Sequence, residues 1–206
     1  MKSNKRATSG KSSTPSKATS KQSWPGWLAP LLVALVTVVA FLPALSNDFV
    51  NWDDDRNLID NPSYRGLGWT QLGWMFSTFH EGHYQPLSWL TFAIDYLIWR
   101  MNPAGYHLTN LVLHGANAVF FYFVARRLLF VAVPQARVAD NWQLSVSAGF
   151  AALLFAVHPL RVESVAWATE RRDTLSALFF LGAIYFYLRA YAAAHDRARR
   201  RWMTGE

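Results

Sequence analysis

Apolar residues in this chain are gathered in long blocks, not spread at the three-to-four-residue spacing of a soluble amphipathic helix. The first block, Trp27 to Leu45, contains no charged residue, and a hydrocarbon core about 30 Å thick is crossed by roughly 20 apolar residues of helix. It predicts a first membrane span. Trp24 and Trp27 sit at its start as an interfacial belt would, and Pro30 and Pro43 fall near its ends, where proline costs least. Further spans are predicted at about 106–130, 144–157 and 175–194, the second interrupted by His114 and Asn117. The pattern as a whole predicts an all-α polytopic membrane protein with about four transmembrane helices. A cleavable signal is the competing reading of the first block, because Ala44-Leu45-Ser46 has small residues at cleavage-like spacing, but the block exceeds the roughly 7 to 15 apolar residues of such a signal.

Two polar connectors separate these spans, 46–105 and 158–174. Within the first, Pro86 to Trp99 is apolar and opens on a proline suited to a first helical turn. It is too short to cross, and reads as an interfacial or re-entrant helix carrying Asp95. An amphipathic turn or two is expected from Thr70 to Phe79. The same connector holds Trp52, Trp69, Trp74, Trp89 and Trp99, half of the chain's 10 tryptophans, and that aromatic density argues for a packed segment, not a disordered one.

The net charge of +7 changes the picture only through where it sits. Residues 1–23, rich in Ser, Lys and Thr, read as a disordered basic tail able to touch anionic lipid headgroups. With that tail, Arg126, Arg127, Arg137, Arg189 and the run Arg197 to Arg201 lie on one side of the predicted spans. Asp48, Asp53, Asp54, Asp55, Asp60, Glu81, Asp95, Glu163, Glu170 and Asp173 lie on the other. Basic residues are retained on the cytoplasmic side, so the amino terminus is expected inside and both connectors outside. Membrane lipids are thus the expected partners of these charges, and no nucleic acid is. Cysteine is absent, which excludes disulfides and thiolate metal sites.

Candidate chemistry concentrates in the connectors. Asn51-Trp52-Asp53-Asp54-Asp55-Arg56 sets three adjacent carboxylates at the mouth of the first span. Neighbouring carboxylates repel when ionised, so one holds its proton more tightly, which suits a general base or a cation site; capping a helix amino end is the bland alternative for one of them. His80 and His83 have a spacing that permits metal ligation, but Gly82 and Pro86 point to a turn, and no second ligand pair accompanies them. In the second connector Glu163, Trp167 and Glu170 fall at i, i+4 and i+7, predicting one face of a helix. Arg171, Arg172 and Asp173 follow at the membrane entry, where ionisable residues must face the protein interior or water. They form either an internal ion-pair network or a phosphate site, since guanidinium matches phosphate oxygens.

These residues resemble a known family. Asn51-Trp52-Asp53-Asp54 after a first span, with His158-Pro159, Glu163-Ser164-Val165-Ala166-Trp167 and Arg171-Arg172-Asp173-Thr174-Leu175 after a third, is similar to polytopic GT-C glycosyltransferases, in particular bacterial membrane proteins with tetratricopeptide repeats and the animal transmembrane O-mannosyltransferases that carry such repeats. The resemblance implies a transferase moving a sugar from a polyprenyl-phosphate donor to a hydroxyl of a protein or glycan acceptor, on the outer face of a membrane, here a bacterial inner membrane. Carried onto this chain, the catalytic base would be Asp53 or Asp54, with Asp55 extending the pair. Arg171 or Arg172 would meet the leaving phosphate, His158 and Glu163 would shape the site, and Asp173 completes the substrate-binding set. No cofactor follows, and a divalent cation at the aspartate run stays open. The family has more spans and downstream repeats, neither of which occurs in these 206 residues, so the chain is expected to be an amino-terminal part of a larger GT-C domain. A non-enzymatic anchoring or assembly module is the alternative. A transporter would need ionisable groups deep in the spans, and only His114 lies mid-span.

Overall fold

The computed structural model describes residues 25–133 and 141–204. The tail of residues 1–23 and Arg137 lie outside them, as do the side chains of the basic run after Ala194. Among the described residues every regular element is helical, and the pairing of His80 with His83 is an isolated bridge within a turn.

The first apolar block forms α1, Leu28–Phe41. Pro43 has no N–H to extend the ladder, and the chain tightens into a 3-10 turn over Leu42–Ser46. A head of short elements follows: a π-helical turn Asp55–Ile59, a 3-10 turn Pro62–Tyr64, α2 at Trp69–Ser77 and α3 at Pro86–Trp99. Then come the long α4, Pro103–Ala132, and α5, Asn141–Ala156. A short α6, Arg161–Ala166, leads to α7, Arg171–Thr204. Helix α4 opens with Pro103 in its first turn, and the Asn102 side chain accepts the Ala104 N–H at 3.2 Å.

Among the described residues three helices are long and apolar enough to cross a membrane: Leu28–Ser46, Pro103–Ala132 and Arg171–Ala194. The block expected at 144–157 is helical as well, but its apolar stretch, Trp142–Ala156, is shorter than these; 16 residues make about 24 Å of helix. Helix α4 is the centre on which α1, α5 and α7 pack. Ala148, Ala152 and Ala156 recur every fourth residue along one face of α5 and are buried with Val33, Ala118 and Tyr122. Small side chains on that face let helix backbones approach, the usual basis of helix pairing in lipid.

The head has its own core of Leu58, Tyr64, Met75, Trp89, Phe92, Ala93 and Tyr106, completed by Ala168 from the far connector. The turn from α3 into α4 is tight. A Cβ on Gly105 would stand 2.1 Å from Cγ of Trp99, so only glycine fits, and Arg100 takes a positive φ of 57° to make the corner.

One expectation fails here. The continuous helix through Glu163, Trp167 and Glu170 does not form: α6 ends at Ala166, Trp167 is extended, and α7 begins at Arg171. Ala168, Thr169 and Glu170 turn inward and are buried, because the head draws Ala168 into its core and Asp54 takes hold of Thr169.

Candidate active site at the loop junction

The π-helical turn after the first span puts its three aspartates in different environments. Asp54 is buried, and both of its oxygens accept hydrogen bonds. Oδ1 accepts the Thr169 N–H at 2.9 Å and also the Thr169 hydroxyl, while Oδ2 accepts the Val50 N–H at 2.9 Å. Asp54 therefore clasps the two connectors together and puts them at the same end of the bundle. Asp55 lies half-buried and accepts the Arg56 N–H at 2.8 Å. Asp53 is half-buried too, and its carbonyl accepts from the Asn57 side chain at 2.9 Å. Its carboxylate has no hydrogen-bond or ionic partner among the described residues.

Across the junction the adjacent arginines separate just as sharply. Arg171 is fully buried. It forms an ion pair with Asp95 and donates through Nε to Oδ1 of Asn110 at 2.8 Å and through Nη2 to the Tyr106 carbonyl at 2.8 Å. Its charge lies 4.3 Å from the centre of the Phe92 ring. Asp95 accepts a further hydrogen bond from Thr109 at 2.7 Å. Burial drives the Asp95 carboxyl above the usual carboxylate range, and the Arg171 charge and the Thr109 hydroxyl draw it part of the way back. The two readings of the arginine run thus divide. Arg171 has the surroundings of an internal ion pair and is fully buried. Arg172, 32% exposed, is gripped by Glu170 through Nη2 at 2.5 Å and Nε at 3.3 Å, and its Nη1 has no partner among the described residues.

Other expected site residues stand at the rim. His158 is exposed, its Nδ1 accepting the Leu160 N–H at 3.3 Å. Glu163 is exposed on α6, and Asp173 is exposed with Ser164 donating to it at 3.3 Å. His80 and His83 lie on a tight turn with positive φ at Glu81 and Gly82, as Gly82 suggested, and His80 packs edge-on against Trp74 and Trp89. Among the described residues no three His, Asp or Glu side chains gather as a group able to hold a metal.

Sequence reasoning missed Thr169 and Asn110. Asn110 has a signal: His107, Asn110, His114 and Asn117 fall at spacings of three, four and three along α4, and all four are buried. That is a polar stripe on the inward face of a span. His114 meets the Ala156 carbonyl at 2.8 Å, as a packed histidine should, and Asn117 donates to the Thr174 carbonyl at 2.8 Å. His107 lies beside Asp54 and the backbone of Asn47 and Asp48.

No family model matches the chain, and no solved structure does. Among curated proteins, Protein O-mannosyl-transferase TMTC4 of Homo sapiens is 34% identical over 177 residues, 81% of this chain and 24% of that protein. The chain is related to the protein O-mannosyl-transferases. Protein O-mannosyl-transferase Tmtc3 of Drosophila melanogaster is 35% identical over 130 residues, 59% of this chain and 14% of its own length. Protein O-mannosyl-transferase TMTC2 of Mus musculus is 29% identical over 183 residues, 85% and 20% of the two. This bears out the resemblance to the animal O-mannosyltransferases. The chain spans about a quarter or less of the length of these relatives.

Proposed function

We propose that this chain carries the loop-junction end of a membrane glycosyltransferase of the GT-C type, moving a mannosyl group from a polyprenyl phosphate to a protein hydroxyl. The observation that carries the reading is the contrast between Asp53 and Asp54. A general base needs a carboxylate with a free lone pair within reach of the attacking hydroxyl. The Asp53 carboxylate is half-buried and has no partner among the described residues, whereas Asp54 is fully buried and holds Thr169 and Val50. In the reaction the acceptor oxygen attacks the anomeric carbon and its proton passes to Asp53. The bond from that carbon to the donor phosphate breaks, and the lipid phosphate leaves with the electron pair. Arg172, through its Nη1, meets the charge that develops there, with Glu170 orienting it. Asp54 positions the turn that holds Asp53.

The junction end is proposed to face outward and the amino terminus the cytoplasm, which puts the acidic connectors and the basic segments on the sides the positive-inside rule favours. The relatives' names supply the mannosyl group and the protein acceptor.

The test uses radiolabelled polyprenyl-phosphate mannose and a hydroxyl-rich peptide with the chain in nanodiscs. Asp53→Asn should bind donor as wild type does and lose transfer by about 10²- to 10⁴-fold, the usual worth of a general base. Arg172→Ala should weaken donor binding. Wild-type transfer by Asp53→Asn removes it from the mechanism. Donor binding by neither wild type nor variants would return the anchoring module as the function.

A further inference from the structure

The break between α6 and α7 turns the Trp167 carbonyl away from any helical ladder and toward the interior, while the Ala168 carbonyl beside it accepts the Arg171 N–H at 3.3 Å. Buried carbonyls without a donor are costly. The Asn110 side chain supplies one, donating to Trp167 at 2.9 Å and to Ala168 at 3.4 Å. Its amide has only one useful orientation. The oxygen accepts from Arg171 Nε at 2.8 Å; reversed, the amide would set donors against the guanidinium and an oxygen against two carbonyls. Arg171 is itself fixed by Asp95, by the Tyr106 carbonyl and by the Phe92 face. Thr169, the next residue after Ala168, is the one that grips Asp54.

We infer that Asn110 is a positioning residue of the transferase: it passes the anchorage of the Asp95–Arg171 pair to the 167–170 break, and through the Thr169–Asp54 clasp it sets where Asp53 stands. This rests on Asp53 being the base. Helix packing alone does not require Asn110, because two turns further along Asn117 joins α4 to Thr174 of α7, and the alanine-lined contact of α4 with α5 lies beyond the break.

Asn110→Asp is the isosteric probe. It keeps an acceptor for Arg171, leaves the Trp167 carbonyl without its amide donor and leaves the Ala168 carbonyl with the Arg171 N–H alone. Because the chain has no cysteine, spin labels can be placed by Ile59→Cys and Leu160→Cys, 46% and 74% exposed on opposite sides of the junction. The otherwise wild-type chain in nanodiscs should give one narrow distance between the labels, and Asn110→Asp a broader and longer one. Transfer by Asn110→Asp should fall tenfold or more in kcat with KM for the donor unchanged, kcat being taken per folded chain as counted by stoichiometric donor binding, so that loss of folded protein does not enter the ratio. An unshifted, narrow distance in Asn110→Asp overturns the inference whatever its activity. Loops that separate while transfer holds its wild-type rate overturn it as well. Should Asn110→Asp fail to fold, Arg171→Lys carries the same test, since it keeps a cation beside Asp95 but loses the fork that orients Asn110; an unchanged distance there is equally decisive. The distance is read without catalysis, so a failed base assignment, seen as normal transfer by Asp53→Asn, is distinguishable from a failed relay.

Discussion

The head and the bundle are held together by different means. The head core is aromatic: Trp89, Phe92, Tyr64 and Tyr106 are fully buried, and the two tyrosine hydroxyls meet at 3.1 Å. Large rings of this kind gain most where folding removes them from water. The bundle core around α4 and α5 is rich in alanine, with Ala118, Ala148, Ala152 and Ala156 buried beside Val33 and Tyr122, and Phe121 stacked on Phe155 at 4.6 Å. In lipid there is little hydrophobic gain in joining two helices, so close contact and interhelical hydrogen bonds do the joining. The junction lies where these regimes meet, and its acids follow suit: Asp95 is paired with a cation in the interior, whereas Asp53 is half-buried.

That difference is open to attack by mutation, with the largest effect expected in the head. Trp89→Ala should cost about 3–5 kcal/mol, the range for deleting a buried large aromatic, and open residues 47–102 to protease while the helical circular dichroism of the bundle persists. Simultaneous melting of both would show that they are one cooperative unit. Ala152→Leu reverses the logic: added bulk between α4 and α5 should destabilise the bundle by about 1–3 kcal/mol, measured as a lower Tm in detergent, and the same change at a lipid-facing position should do nothing. His114→Leu should cost least of the three, about 0.6 kcal/mol for one interhelical hydrogen bond in a membrane. A loss as large as that of Trp89→Ala would mean that polar contacts, not close packing, hold the bundle.

A pH titration sharpens the same contrast. Burial pushes the Tyr64 phenol above its ordinary value, so its contribution to stability is present below about pH 10, where the unfolded phenol is still protonated, and is lost as pH rises toward the raised native value. The head should therefore loosen in strong alkali, followed by protease sensitivity, and Tyr64→Phe should blunt that dependence. An equal alkaline loss in Tyr64→Phe would assign it to another group.

Much of the fold was legible because each apolar block carries its own instruction. The bounds of α3, Pro86–Trp99, could be read from a proline and an apolar run, and the turn at Gly82 from its composition. The site was legible only in part. Asp53-Asp54 and Arg171-Arg172 stand out as pairs, yet nothing in either pair says which member turns inward. Successive residues of a helix point about 100° apart, and the partners that choose between them, Thr169 for Asp54 and Asp95 for Arg171, lie 115 and 76 positions away along the chain. The acid and tryptophan face expected from Glu163 to Glu170 assumed a helix that the head core and Asp54 together break.

The sequence by itself determined that this is a helical membrane chain, because a long run without charge can enter lipid only with every backbone group bonded within its own helix. It also determined that acids gather in the two connectors. Only the tertiary structure decided that Asp54 is held by Thr169 and Val50 while the Asp53 carboxylate has no partner among the described residues. A carboxylate becomes a clasp or a candidate base according to the donors that surround it, and those donors come from distant residues brought near when the head closes over the end of the bundle.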